Sequence, residues 1–378
     1  MNILLALIIF GSSCVSNNEN ETPDQESNSN YEYIKSEKLS YRIDTLATGL
    51  DNPWGLTFLP NKDLLVTERD GEIRIIREGK LLEQSITGVP DVYNKGQGGL
   101  FEIQLHPDYQ SNGWLYIAYA APVSGGGNTA IMRAKLGGFN LINKSVIFQA
   151  EPFVGGGNHF GGRMEFGNDG QLYFSVGERG NKSNAQTLKN HAGKILRISE
   201  DGSVPSDNPF VRTSGAKPEI YTYGNRNPQG MAIHPTTGEI WTHEHGPMGG
   251  DEINIVKKGV NYGWPEVSYG KNYDGSILTE YTTKKGMEDP LHYWVPSIAP
   301  CGMSFVTSEK YGDWKGNLLV GSLKFRYVAR LELDGDKVTH EERIAENLGR
   351  VRAITQGPDG YIYVSTEGPG MVIRLVPK

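Results

Sequence analysis

FGNDGQLYFSVGERG, residues 166–180, decides how the chain folds. A turn built from Gly167, Asn168, Asp169 and Gly170 leads into a short run of apolar, aromatic and β-branched residues, which leaves through a charged, Gly-containing exit. A run of this kind bounded by turn formers reads as a β-strand. The same unit returns as LPNKDLLVTERDG (59–71), LHPDYQSNGWLYIAYA (105–120), IHPTTGEIWTHEHGP (233–247), YGDWKGNLLVGSLK (311–324) and QGPDGYIYVSTEGPG (356–370). A four-stranded propeller blade takes about 40 residues or more, so six units fill the chain from about residue 40 to its end. A two-sheet sandwich also has many short strands, but it has no reason to repeat one turn–strand–exit unit six times. The reading is therefore all-β, a six-bladed β-propeller over residues 39–378. YRIDTLATGL (41–50) is strand-like and is expected to close the ring on the last blade. Helix is expected only as short turns near Gln186–His191.

Composition agrees with this class. The chain has 378 residues, 48 of them Gly and 19 Tyr, with a formal net charge of -7. Frequent Gly turns between short aromatic runs favour β structure. The acidic balance gives no basic stripe for nucleic acid. Ile3 to Phe10 is an apolar run too short to cross a bilayer, followed by Gly11, Ser12, Ser13 and Cys14. This resembles a bacterial lipoprotein signal over residues 1–14, although Lys and Arg are missing ahead of the run. The expectation is an exported protein, periplasmic or anchored to the membrane through a lipid on Cys14. Residues 15–38 are rich in Asn, Glu and Ser and read as a flexible linker. With Cys14 lipidated, the only other cysteine, Cys301, has no partner for a disulfide, and no CxxC zinc pattern is present.

A propeller carries its functional loops around the central channel at one end. Several loops hold residues capable of chemistry. GGGNHFGGRMEFG (155–167) sets His159 among glycines, where backbone can approach a ligand closely and an imidazole can serve as a base near neutral pH. Arg226 and Asn227 precede another strand, and His245, Gly246, Pro247, Asp251 and Glu252 follow it. The HEH run is not the HExxH zinc motif; carbonyls in a Gly-Pro loop beside carboxylates suit a hard cation such as Ca²⁺. Arg350 and Arg352, two apart in a strand, share a face and could pair with carboxylates of an anionic ligand; taken alone they read as a surface pair. No G-x-S-x-G nucleophile elbow, dinucleotide-binding G-x-G-x-x-G or P-loop is present.

Taken together, NPWGLTFLP, GQGGLFEIQLHP, NHFGGRMEFG, GERGN, GNRNPQGMA, EHGPMGGDEIN, NYGWP, GSLK and RVRAITQGPDGYIYV resemble, in order, the pyrroloquinoline quinone (PQQ)-dependent soluble sugar dehydrogenases of the glucose/sorbosone dehydrogenase family, and most closely their aldose branch. The resemblance spans about residues 45 to 376. It implies an enzyme that oxidises aldoses to lactones with PQQ and Ca²⁺ and passes electrons to a respiratory acceptor. It implies that His159 takes the proton of the anomeric hydroxyl while hydride passes from sugar C1 to quinone C5. Arg226 would stabilise charge on the quinone oxygen, with Asn227 also touching the cofactor. Gln97 would lie near His159 and the substrate. Lys324, Arg350 and Arg352 would grip the cofactor's carboxylates and oxygens. The carbonyls of Gly246 and Pro247 would hold Ca²⁺, and Glu252 with Tyr262 a second, structural Ca²⁺. Two positions depart from the glucose-specific members: Glu178 stands where they orient the base with an Asp, and His245 where they place a Gln beside the cofactor. Shorter loops imply a broad aldose range. Two rivals use the same fold: a Ca²⁺-dependent lactonase, which needs a channel-floor calcium held by several carboxylates and amides, and a non-catalytic carbohydrate-binding propeller.

Overall fold

In the computed structural model, which describes residues 31–378, the repeated turn–strand units build six antiparallel sheets. The expected signal segment, Cys14 and most of the expected linker lie outside the described residues. Five blades are made of consecutive strands. The first blade holds Pro53–Phe58, Leu64–Glu68, Glu72–Arg77 and Lys80–Leu81. The second holds Leu100–Leu105, Trp114–Val123, Gly126–Gly137 and Asn140–Gln149. The third holds Met164–Phe166, Leu172–Val176, Lys194–Ile198 and Ile220–Tyr223. The fourth holds Pro228–Ile233, Ile240–Glu244, Asp251–Ile255 and His292–Trp294, and the fifth Pro300–Phe305, Leu318–Ser322, Val328–Asp334 and Lys337–Ile344. The sixth combines Arg350–Gln356, Ile362–Glu367 and Met371–Pro377 with Ser40–Thr48 from the start of the propeller, and a short strand, Ile34–Lys35, adds to its edge. Tyr41 pairs with Pro377, Ile43 with Leu375 and Thr48 with Met371, so chain start and chain end close the ring as expected.

The first strand of each blade touches the first strand of the next, and that of the sixth touches that of the first. These strands therefore line a central channel. Apolar side chains fill the gaps between blades. Leu65, Ile73 and Ile75 of the first blade meet Leu100, Ile103 and Ile117 of the second. The largest cluster joins the second and third blades through Tyr116, Ile131, Phe148, Phe174 and Leu196. Burying one such side chain contributes about 1.5–3 kcal/mol. Between the third and fourth blades the apolar cluster shrinks to Tyr173, Ile195, Met231 and Ile240, and polar contacts take over toward one end.

Antiparallel pairing fixes which end that is. Arg350 lies opposite Glu367 and Pro228 opposite Glu244, so the start of a blade's first strand and the end of its second meet at the same end of the channel. The turns read in the sequence, such as 59–63 and 357–361, join first to second strands at the opposite end. Helical structure is confined to Tyr109–Asn112 and the 3₁₀ turns Lys182–Asn184 and Glu309–Trp314 among the described residues. The turn expected at Gln186–His191 falls earlier because Asn181 caps it: its side chain accepts the Ser183 N–H.

Candidate active site

His159 sits in the loop that carries the chain from the second blade into the first strand of the third. Its backbone is left-handed, φ 54°, and is held by its neighbours. The His159 N–H donates to Gln97 Oε1 at 2.8 Å. A Cβ on Gly177 would lie 2.3 Å from the His159 carbonyl oxygen, so only glycine lets the two loops approach. The imidazole Nδ1 bonds the carboxylate of Glu178, which stands just past the end of Leu172–Val176. With its Nδ1–H donated to a carboxylate, the neutral ring keeps a lone pair on Nε2. Nε2 has no partner among the described residues. The His159 side chain is 13% exposed and that of Glu178 2%. Burial pushes the imidazole below its ordinary value, and the Glu178 hydrogen bond opposes this without reversing it.

Arg179 holds the same loop from below. Its guanidinium lies 3.5 Å from the Phe160 ring centroid and donates to the carbonyls of Gly127 at 3.2 Å and Gly156 at 2.9 Å. Burial pushes it down to about 10. Nothing in the sequence patterns singled it out.

The second half of the site comes from the fourth blade. Arg226 and Asn227 lead into Pro228–Ile233, and their backbone is pinned on both sides. The Glu178 N–H donates to the Arg226 carbonyl at 2.8 Å. The Glu244 carboxylate accepts the Arg226 N–H, the Asn227 N–H at 3.1 Å and Asn225 Nδ2 at 3.1 Å. Arg226 is 5% exposed and donates to the carbonyls of His245 at 3.0 Å and Gly246 at 3.2 Å, and to the Tyr273 hydroxyl at 3.3 Å. His245 donates from Nε2 to the Pro300 carbonyl at 2.7 Å, and burial holds it far below its usual range, hence neutral.

A cavity of about 270 Å³ lies between these groups and the sixth blade. Gln97, Asn227, His245, Arg350, Arg352 and Glu367 are on its wall. The structure thus brings together five of the sequence-derived residues around one space, with His159 and Arg226 bonded directly to wall residues. The two arginines are not a surface pair: Arg352 is 9% exposed. Its Nε and Nη2 donate to Glu367 at 2.8 and 2.7 Å, and Nη1 to Cys301 Sγ at 3.3 Å. Lys324 stands apart. It is exposed, it is off the cavity wall, and its Nζ lies 5.0 Å from the Phe325 centroid, with no ion-pair partner among the described residues.

A cavity walled by three guanidinium groups, those of Arg69, Arg350 and Arg352, and by amides fits a polyanionic ligand, and the donor set is therefore compatible with PQQ. For a cation, the Gly246 carbonyl is available only beside the Arg226 Nη1 that it already accepts. Glu252 fits more plainly. Its buried carboxylate receives one long bond, from Asn254 Nδ2 at 3.4 Å, and faces Glu244, Asp251 and Asp289. Burial and these like charges raise it well above the ordinary value. A divalent ion would relieve such a group. The Tyr262 hydroxyl is committed to Ile255 and Lys257, leaving only its carbonyl for a metal.

Comparison with known proteins puts this geometry in context. The family model described as Glucose / Sorbosone dehydrogenase matches residues 50–374. An aldose sugar dehydrogenase of Escherichia coli is 41% identical over 344 residues, covering 89% of this chain and 93% of that protein. The crystal structure of the soluble aldose sugar dehydrogenase from Escherichia coli in the apo form superposes with a TM-score of 0.86 at 39% identity, over 89% of this chain and 100% of that one. The PQQ-bound aldose sugar dehydrogenase of Streptomyces coelicolor superposes with a TM-score of 0.72 at 30% identity, over 89% and 98%.

Proposed function

Because the chain belongs to the glucose/sorbosone dehydrogenase family, we propose that it is a PQQ- and Ca²⁺-dependent dehydrogenase that oxidises aldoses at C1 to lactones and accepts many of them. The observation that carries this reading is the His159–Glu178 pair, tied through Gln97 to the wall of an arginine-lined cavity.

PQQ, when bound, would supply the acceptor for the hydride, which carries both electrons of the oxidation away from the sugar. The chain's own residues do the rest. Glu178 holds the His159 ring in the tautomer whose Nε2 accepts the proton of the anomeric hydroxyl, and stabilises the imidazolium that results. The lowered basicity of His159 keeps that lone pair free at neutral pH. Arg226, fixed by Glu244 and Glu178 through its backbone, presents a guanidinium where negative charge develops on reduction. Arg350, Arg352 and Asn227 would hold PQQ from the cavity wall; Lys324, off that wall, would reach it only after its exposed side chain turns inward. Ca²⁺ would add positive charge at the Gly246 and Pro247 carbonyls, and a second ion would neutralise Glu252. The N-terminal apolar run and Cys14 support an exported, lipid-anchored enzyme that hands electrons to a respiratory acceptor.

A lactonase would need several carboxylates free for calcium on the channel floor. There Glu102 is paired with Arg163 at 2.6 Å, and Glu165 Oε1 already accepts from Gln104 Nε2 at 2.9 Å and the Phe166 N–H at 3.2 Å. Both features oppose a cation. The deciding assay adds PQQ and Ca²⁺ to cofactor-free protein and follows reduction of an artificial dye with glucose, galactose and a disaccharide. Dye reduction with several sugars, and only with PQQ present, is expected; turnover without PQQ, or none with it, contradicts the reading.

A further inference from the structure

The cavity wall carries one carboxylate, and it stands among the cations. Glu367 ends the second strand of the sixth blade directly opposite Arg350 and is 8% exposed. Its two oxygens are used unequally. Oε1 takes both Nε and Nη2 of Arg352, at 2.8 and 2.7 Å. Oε2 takes a single bond from Arg350 Nε at 3.2 Å. Arg352 is further held by Cys301, whereas Arg350 has only the Leu323 carbonyl at 3.3 Å besides, and its side chain is 46% exposed. Arg352 is therefore locked and Arg350 loosely held.

We propose that Glu367 is a positioning residue that sets the affinity of the cavity for its anionic cofactor. It fixes Arg352 against the wall and, by occupying Arg350, cancels one of the positive charges that the cofactor would meet. The inference rests on the PQQ reading and adds to it a residue that opposes tight binding. Repulsion between Glu367, 8% exposed, and the carboxylates of the ligand acts at short range, where the effective dielectric is below that of water. Arg350, released from Glu367, is free to turn toward the ligand.

The test is a PQQ titration of the cofactor-free full chain, read by calorimetry at fixed Ca²⁺. Glu367→Gln keeps an oxygen for Arg352 and removes the charge. Its Kd should fall about tenfold or more, with a steeper dependence on salt. Glu367→Asp keeps the charge and should stay within about threefold of the wild type. Arg350→Gln should bind about tenfold more weakly, and adding Glu367→Gln to it should restore wild-type affinity to within about threefold. If Glu367→Gln does not fold, Glu367→Ser carries the same test, since it too removes the charge and the same fall in Kd of about tenfold is expected. An E367Q protein that binds PQQ as the wild type does, or more weakly, overturns the inference, as does a double variant no tighter than R350Q. Wild-type protein that binds no PQQ at all would instead remove the function on which it rests.

Discussion

His159 shows how far one side chain depends on the backbone around it. Its reactive nitrogen is defined by Glu178 on the other, and its loop by Gln97, Gly177 and Arg179. Two variants separate proton transfer from orientation. His159→Ala should reduce kcat by roughly two to four orders of magnitude, the usual range for a general base, while PQQ affinity is kept. Glu178→Gln can still accept the Nδ1–H but no longer stabilises the imidazolium. It should lower kcat and move the acid limb of the kcat/KM profile to still lower pH, because the carboxylate is the group that raises the His159 value. In the wild type that limb should already lie below the ordinary histidine value of about 6.5, since burial lowers the basicity and activity is lost only when falling pH protonates the ring. A limb above that value would count against a buried, neutral base. Glu178 was legible only as a family position; what the sequence could not carry is that a Glu, one methylene longer than an Asp, still reaches Nδ1 from just past the strand end.

At the scale of elements, the repeat that defines the fold also places the carboxylates. Glu68, Glu178, Glu244 and Glu367 all stand at or just past the end of a blade's second strand. Each binds the segment entering the first strand of its own blade: Asp51 N–H, His159, the Arg226 and Asn227 amides, and the two arginines. The position recurs in TERDG, GERG, HEHGP and TEGPG, so the signal for Glu244 and Glu367 was present in the aligned exits. Glycines and cations dominate those exits, and the recurring carboxylate is one polar residue among several in each. Which atoms meet depends on strand register and on the bulges in the first strands, between Val351 and Ala353 for example, and local sequence does not specify these. Ring closure was legible because YRIDTLATGL has strand character and no blade of its own. Its anchor is Tyr41, 1% exposed, whose hydroxyl accepts the Ala345 N–H at 2.8 Å and whose ring lies 5.5 Å from that of Trp314. Tyr41→Phe leaves that N–H buried without a partner and should cost about 1–3 kcal/mol in denaturant unfolding. An unchanged midpoint would mean that the closing strand is not held there.

For the whole molecule, the ring divides its channel into two unlike spaces. Arg163 spans it, stacked 3.8 Å from Trp54 and bonded to Glu102, the Gln229 carbonyl and the Arg352 carbonyl. Beyond it lies a second cavity of about 350 Å³ lined by Gln104, Glu165 and Gln356. An acidic chain of net charge -7 thus gathers Arg69, Arg350 and Arg352 around one cavity, with Arg226 bonded to its wall and Lys324 standing apart. The measurement that addresses this convergence most directly is a crystal structure of the protein loaded with PQQ and Ca²⁺. PQQ is expected in the cavity between the fourth and sixth blades, its carboxylates within hydrogen-bond distance of Arg350 or Arg352, its quinone oxygens toward Arg226, and His159 Nε2 facing the space left for the sugar. Density for PQQ elsewhere on the molecule, or a His159 ring turned away from it, would contradict the account.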